Sequence, residues 1–476
     1  MTEAPRKRQK TEEPQQILIQ FRSAEGELVG PEMDISDSAS SEQLASVLNA
    51  LLSNEDPYTF YLDTIEVKNS LKEACDQANH SYELVVPLTY HPMSLFRVHP
   101  VTRSSSSLTG HTESILAVQF SPDGRNLATG GGDACVRTWD IDTETPHHTL
   151  EGHKNWVLVV SWSPDGLKLA SAGADGSIRI WNPNTGEQVG KAMRGHGKWV
   201  TSLSWRPLHL EVDSRSLASS SKDGTIKIWN TDSCTLRLTL TSHSASVTKV
   251  IWGGEDILFS ASQDRTVKVW EASTGRLIRN LAGHGHWVNQ LSLSTDYRLR
   301  TGDFDPITPT SEVLAERQAT ALEKYRVTAG KGERLVSCSD DFTIFLWSPH
   351  KSEKPITRMT GHQQTINHAC FSPDGHYIVS ASFDKSLRLW DGFTGSFLST
   401  FRGHVGPVYQ VSWSPDSRLL ISGSKDSTLK VWNIKNRKLA VDLPGHADQV
   451  YAVDWSPDGL KVASGGRDRV LNIWRN

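Results

Sequence analysis

Between Gly152 and Trp181 the chain reads GHKNWVLVVSWSPDGLKLASAGADGSIRIW, and the fold follows from this stretch. The run from Trp156 to Trp162 alternates as a strand and is stopped by Ser163-Pro164-Asp165-Gly166. A second short strand, Leu169 to Ser171, leads to a tight turn at Ala174-Asp175-Gly176, and Ile178 to Trp181 alternates again. Proline sets φ and Asp-Gly tolerates a positive φ, so this punctuation has a mechanism. The same phrase opens at His111, His153, His196, His243, His284, His362, His404 and His446, mostly 41 to 43 residues apart. In every unit a Ser or Thr stands four residues before an Asp, and a Trp follows that Asp by six. The closing tryptophans are Trp139, Trp181, Trp229, Trp270, Trp347, Trp390, Trp432 and Trp474. Such a period predicts four antiparallel strands per unit and an eight-bladed β-propeller, a mainly β fold that usually binds and rarely catalyses.

The set His153, Ser171, Asp175 and Trp181, with its seven counterparts, resembles the WD-repeat family, where these side chains form a hydrogen-bonded network inside each blade. Burial suits such a network, since an unpaired imidazole or carboxylate would cost several kcal/mol. The Trp-Asp dipeptide itself stands only at Trp139-Asp140 and Trp390-Asp391. Eight of the 18 histidines are thereby absorbed into structure, and the other ten show no HxxxH-type pairing. No Gly-rich phosphate loop, nucleophile elbow or zinc motif is present, so the sequence predicts no enzyme and no cofactor of its own.

The eighth unit ends at Trp474-Arg475-Asn476 without room for an outer strand, whereas Arg103-Ser-Ser-Ser-Ser-Leu108 precedes the first unit. Residues 103–108 are therefore expected to complete the last blade and close the ring. The fifth unit is interrupted by an insertion of about 295–333. Pro309-Thr310-Ser311 starts a helical pattern there, with Leu314, Gln318, Ala321, Leu322 and Tyr325 along one face, which favours a docking element. Trp156, Trp199 and Trp287 each stand three residues after a blade histidine, with Lys154 and Lys198 beside them. Lys222, Lys425 and Arg467 each precede a blade aspartate. Two readings stand open for this rim: binding chemistry for a protein or RNA surface, or tryptophans that fill gaps between blades.

Residues 1–92 hold 16 acidic and 7 basic side chains, while the net charge of the whole chain is −4, so the remainder is mildly basic. Residues 1–14, with Arg6-Lys7-Arg8 and Lys10, read as a disordered basic tail or a nuclear localisation signal. No stretch approaches the apolar length of a membrane span, and the five scattered cysteines read as free thiols of a reducing compartment. Residues 15–92 read as a small α/β domain. Gln16–Phe21 and Glu27–Ile35 form a hairpin around Gly26. Ser40 and Gln43 cap a helix striped with Leu44, Val47, Leu48, Leu51 and Leu52. Strands at Tyr58–Leu62 and Leu84–Tyr90 complete an order that resembles the ubiquitin fold, with 93–102 as a linker to a propeller at 103–476.

The acidic head, Pro100-Val-Thr-Arg-Ser-Ser-Ser-Ser107, eight repeats and a fifth-unit insertion together resemble the Notchless family. Lys198-Trp-Val-Thr-Ser-Leu-Ser-Trp205, Ser294-Thr-Asp-Tyr297, Arg358-Met-Thr-Gly-His362 and Asp442-Leu-Pro-Gly-His446 strengthen the match. The resemblance implies a nuclear and nucleolar assembly factor of the large ribosomal subunit precursor (pre-60S), monomeric within a large complex and without a membrane. It also implies a head that engages the metal-ion-dependent adhesion site of midasin, a giant AAA-type ATPase. By the same resemblance, Glu83 in Ser81-Tyr-Glu83-Leu-Val-Val-Pro completes the coordination of a Mg²⁺ held by that partner. Read by itself, Glu83 is a solvated charge. The alternative reading is a substrate receptor of a ubiquitin ligase, but the nearest Trp-Asp-x-Arg box, Trp432-Asn433-Ile434-Lys435, is a poor match.

Overall fold

The computed structural model describes residues 16–92 apart from 24–27, 38, 53–57, 63–64, 68–70 and 79–84, and residues 97–476 apart from 307–310, 312 and 331. The tail at 1–14, the Gly26 turn and Glu83 lie outside the described residues. The chain divides into two units, Met1–Phe96 and Arg97–Asn476.

In the first unit, β1 (Gln16–Ser23) and β2 (Leu28–Ser36) form the expected hairpin, followed by α1 (Ser41–Leu52) and β3 (Tyr58–Leu62). A short β4 (Ile65–Glu66), α2 (Leu71–Ala78) and β5 (Val86–Pro92) complete it. The sheet order is β2-β1-β5-β3-β4, with β1 and β5 parallel at its centre. Ser40 and Gln43 cap α1 reciprocally: the Ser40 amide donates to Gln43 Oε1 at 3.1 Å and the Gln43 amide to Ser40 Oγ at 3.4 Å. Leu44 and Leu48 are fully buried against Ile17, Ile19, Phe21 and Phe60. Helix α2 was not expected, although Leu71, Ala74, Cys75 and Ala78 carry the spacing of a buried helical face.

The second unit is a ring of eight four-stranded antiparallel sheets. In blade 8 the outer strand is β6 (Arg103–Thr109), paired with Val470–Arg475 from Thr109↔Val470 to Arg103↔Arg475. Sequence-distant strands thus close the ring and leave no open seam. The linker is shorter than expected: Val98 and Val101 are buried, and the Val98 amide donates to Asp416 Oδ2 at 2.9 Å. Along the channel, each inner strand ties to the next. Thr201 Oγ1 donates to Val247 O at 2.7 Å, Thr248 Oγ1 to Val288 O at 2.7 Å, and Asn289 Nδ2 to Ile366 O at 3.0 Å.

The insertion joins the first and second strands of blade 5, Val288–Leu293 and Leu335–Ser339, and contains α3 (Asp296–Thr301) and α4 (Leu314–Ala329). The helical face expected to meet a partner instead meets the propeller itself. Ala321 and Tyr325 are buried, Tyr325 stacks on His209 of blade 3 (4.6 Å between centroids, 15°), and Gln318 Nε2 donates to His209 O at 2.9 Å. Only Leu314 of that face remains exposed, at 52%. The helix spans Leu314–Ala329, with Ser311 Oγ accepting the Val313 amide at 3.1 Å, while Pro309 and Thr310 of the expected start lie outside the described residues. Helix α3 crosses the channel and ends at Gly302 with φ 60°, where a Cβ would lie 2.8 Å from Pro164 O of blade 2.

Candidate binding face of the propeller

All eight blade networks form. The histidine Nε2 lies 2.7–2.8 Å from the Ser or Thr hydroxyl oxygen. That oxygen accepts the tryptophan Nε1–H at 2.7–3.0 Å. Because the aspartate carboxylate can only accept, Nδ1 of the neutral ring carries the proton, which leaves Nε2 to accept from the hydroxyl. Nδ1 then donates to the aspartate at 2.7–3.2 Å. Burial by itself would raise the Asp133 carboxyl, but His111 and the Thr112 and Cys135 amides outweigh it and hold the pKa at about 2. Asp223 is likewise held at about 2: burial opposes, and the Thr225 hydroxyl and amide and then His196 prevail. His196 is itself pushed down by burial, which agrees with a neutral ring.

The aspartate does a second job. Asp175 Oδ2 also accepts the Lys154 amide at 3.1 Å, and Asp223 Oδ2 accepts the Gly197 amide at 3.0 Å. Buried blade chemistry thereby pins the loops that carry the rim residues. The three tryptophans are not gap fillers: Trp156 is 51% exposed, Trp199 42% and Trp287 46%. Trp156 and Trp199 stand together across the boundary of blades 2 and 3, with ring centroids 6.5 Å apart and planes at 52°. Lys222 Nζ lies 4.7 Å from the Trp199 ring centre, a cation–π contact. Lys154 and Lys198 are exposed beside them, and a depression opens between Asp175, Gly176, Lys198, Trp199 and Lys222.

The other rim candidates stand apart from this pair. Trp287 belongs to blade 5, next to His286 at 5.2 Å. Lys425 and Arg467 are exposed on blades 7 and 8, where Arg467 Nε lies 3.6 Å from Asp448. Sequence reasoning missed Phe342, 42% exposed at φ 66°, and Val405, 76% exposed, on the same loops. A large side chain directly after a blade aspartate or histidine was the available signal.

Helix α3 shapes the channel beneath this rim into a cavity of about 410 Å³, lined by Lys249, Gln290, Asp296, Tyr297, His368 and Cys370 among others. Burial pushes Lys249 down and Asp296 up, each drawn back by the other's charge. His368 is pushed down to about 3 by burial and then by Lys249, and is neutral. No group of His, Cys, Asp and Glu among the described residues is arranged to hold a metal ion.

A family model described as WD domain, G-beta repeat, matches residues 102–140, 144–182, 186–230, 234–271, 353–391, 395–433 and 437–475. The gap between the fourth and fifth matches is the interrupted unit. A model described as NLE (NUC135) domain matches residues 17–75. Protein Notchless of Drosophila melanogaster is 48% identical over 369 residues, spanning 76% of this chain and 75% of that protein. The chain belongs to the Notchless family. The Notchless protein homolog of Arabidopsis thaliana is 52% identical over 396 residues, 83% of this chain and 84% of that protein. Ribosome assembly protein 4 of Saccharomyces cerevisiae is 49% identical over 409 residues, 81% and 79% of the two chains. Among solved structures, the computationally designed Ika8 protein superposes with a TM-score of 0.61 at 24% identity, over 78% of this chain and 98% of that one. This last likeness concerns the propeller fold alone. Notchless proteins are a non-enzymatic WD-repeat family, in keeping with polar clusters here that are spent on structure.

Proposed function

We propose that this chain is a non-enzymatic assembly factor of the large ribosomal subunit precursor, acting in the nucleus and nucleolus. The observation that carries this reading is the 49% identity to Ribosome assembly protein 4, sustained over 81% of the chain. The propeller docks on the precursor particle through its tryptophan- and lysine-bearing rim. The head is ubiquitin-like, a reading supported by the β2-β1-β5-β3-β4 order with parallel central strands. It engages the metal-ion-dependent adhesion site of midasin, with Glu83 as the carboxylate offered to the Mg²⁺ of the partner. A hard cation that keeps several waters accepts one or two carboxylates, so a single glutamate suffices. The excess acidity of residues 1–92 favours encounter with a positively charged dock.

Affinity purification of the full chain, with and without Glu83→Ala, tests both levels. The wild-type chain is expected to enrich large-subunit precursors and midasin, and the variant to lose midasin alone. A wild-type chain that enriched ubiquitin-ligase scaffolds instead of ribosomal precursors would overturn the assembly role. Undiminished midasin capture by a folded E83A chain would overturn the role of Glu83.

A further inference from the structure

We infer that Trp156 and Trp199, with Lys154, Lys198 and Lys222, form a stacking platform for unpaired bases of single-stranded RNA. The inference rests on the reading of the propeller as a ribosome-precursor binder and names the chemistry that one sector of its rim would recognise.

The two indoles are about half exposed, although each sits on a loop held rigid by a blade aspartate. Lys222 covers part of the Trp199 ring, and the rest of both indoles leaves a large apolar area in water. A 6.5 Å separation with tilted planes presents two separate ring surfaces along one short path. Gly197 lines the depression beside Trp199, and a Cβ there would touch nothing within 4 Å, so a ligand backbone can approach closely.

The charges choose among ligands. All three cations of this sector are lysines, point charges on flexible stems that suit phosphates spaced along a chain. Arginine forks, which recognise carboxylates in bidentate fashion, are absent from the sector's described residues Lys154–Trp156, Ala174–Gly176, Gly197–Trp199 and Lys222–Gly224. That favours a polyphosphate backbone over an acidic peptide. Double-stranded RNA hides its bases inside the helix, so aromatic faces at a rim can be used only by a loop, bulge or end. Stacking on an indole face is open to every base, and the one side-chain amide beside Trp156, Asn155, has its Oδ1 engaged by the Trp156 amide at 2.8 Å, so the platform tolerates sequence.

The full-length chain is titrated into a fluorescently labelled single-stranded RNA of about ten nucleotides, a length in the range one such site covers. Trp156→Ala and Trp199→Ala are each expected to weaken binding roughly five- to a hundred-fold, the range measured for losing one stacked base. Trp→Phe at either position retains most of the affinity, and unchanged melting of each variant establishes that the ring is intact. Lys222→Ala lowers the slope of log affinity against log salt by about 0.7, the value of one phosphate contact on a single strand. A double tryptophan variant that binds as the wild type does, or equal binding to an RNA duplex, overturns the inference. Polyglutamate bound with the same tryptophan dependence overturns it in favour of an acidic peptide. A chain that enriches precursors yet fails these titrations overturns the stacking site alone. Binding through the two tryptophans without any enrichment of precursors overturns the assembly role and leaves the platform standing.

Discussion

Arg300 and Asp454, 154 residues apart, meet across the central channel, with Nη1 3.0 and 3.1 Å from the two carboxylate oxygens. The same carboxylate accepts the Phe120 amide of blade 1 at 3.0 Å. One buried group therefore joins the insertion of blade 5, the inner strand of blade 8 and the first blade, at the seam where the ring closes. Burial disfavours the charged guanidinium, yet the attraction of Asp454 keeps it firmly protonated.

Asp454→Ala is expected to destabilise the propeller by about 2–4 kcal/mol, because it strands a largely buried guanidinium and frees the Phe120 amide. Arg300→Met costs less, since Asp454 keeps its amide partner. The double variant loses less than the sum of the two. Thermal melts of the four proteins in a double-mutant cycle check this, and additive losses would show that the pair is not coupled.

Removal of residues 1–109 deletes β6 and exposes the edge of Val470–Arg475 in blade 8. Truncation to Gly110 should lower the melting temperature by more than ten degrees and broaden the transition, whereas a chain starting at Arg97 melts like the intact protein. Calorimetry on the two fragments decides the matter, with a shift of about 2 °C or less expected for each kcal/mol lost in a unit of this size.

Ser171→Ala leaves His153 Nε2 and Trp181 Nε1 buried without a partner, since both rely on that one hydroxyl at 2.8 Å. The expected loss is about 2–3 kcal/mol, the desolvation cost of groups left unpaired. Denaturant unfolding measures it, and Ser171→Thr should recover most of it because Thr129 fills the same role in blade 1 at 2.8 Å.

Acid should release the blades through their aspartates. Asp133 and Asp223, held at about 2 when folded, bind fewer protons folded than unfolded. Their contribution is complete above the unfolded carboxylate value near pH ~4 and is lost as the pH falls towards 2. Asp133→Asn and Asp223→Asn are each expected to flatten the fall of melting temperature across that window. An unchanged slope in both would assign the acid lability to other carboxylates.

Helix α4 depends on Tyr325, whose Cε2 would lie 2.1 Å from a Cβ at residue 254, so Gly254→Ala should lift the helix from the disc. Tyr325→Ala removes the His209 stack. In both variants amide exchange is expected to rise across 314–329 while the blade strands stay protected, because the ring closes through β6 without this helix. Faster exchange throughout blades 3 to 5 would mean that the insertion supports the ring.

Much of this molecule was legible because its rules are local. The turn residues, the alternation and the four-residue network repeat inside one unit, so each blade announces itself within its own span, as His153, Ser171, Asp175 and Trp181 do. The closing strand could also be read, since a last unit without an outer strand requires one from elsewhere. Helix α2 was missed because a short stripe of Leu71, Ala74, Cys75 and Ala78 is weak among polar neighbours. The direction of α4 was misjudged for a deeper reason: amphipathic spacing shows that one face will be covered and does not say by what.

By itself, then, the order of amino acids determined the number of blades, the hydrogen-bonded set inside each, the closure at β6 and the division into head and disc. Tertiary structure alone decided that the insertion folds back to floor the channel, that Arg300 finds Asp454, and that Trp156 and Trp199 face solvent side by side. Those outcomes depend on curvature accumulated around a closed ring, which brings distant residues together at spacings that no local pattern encodes.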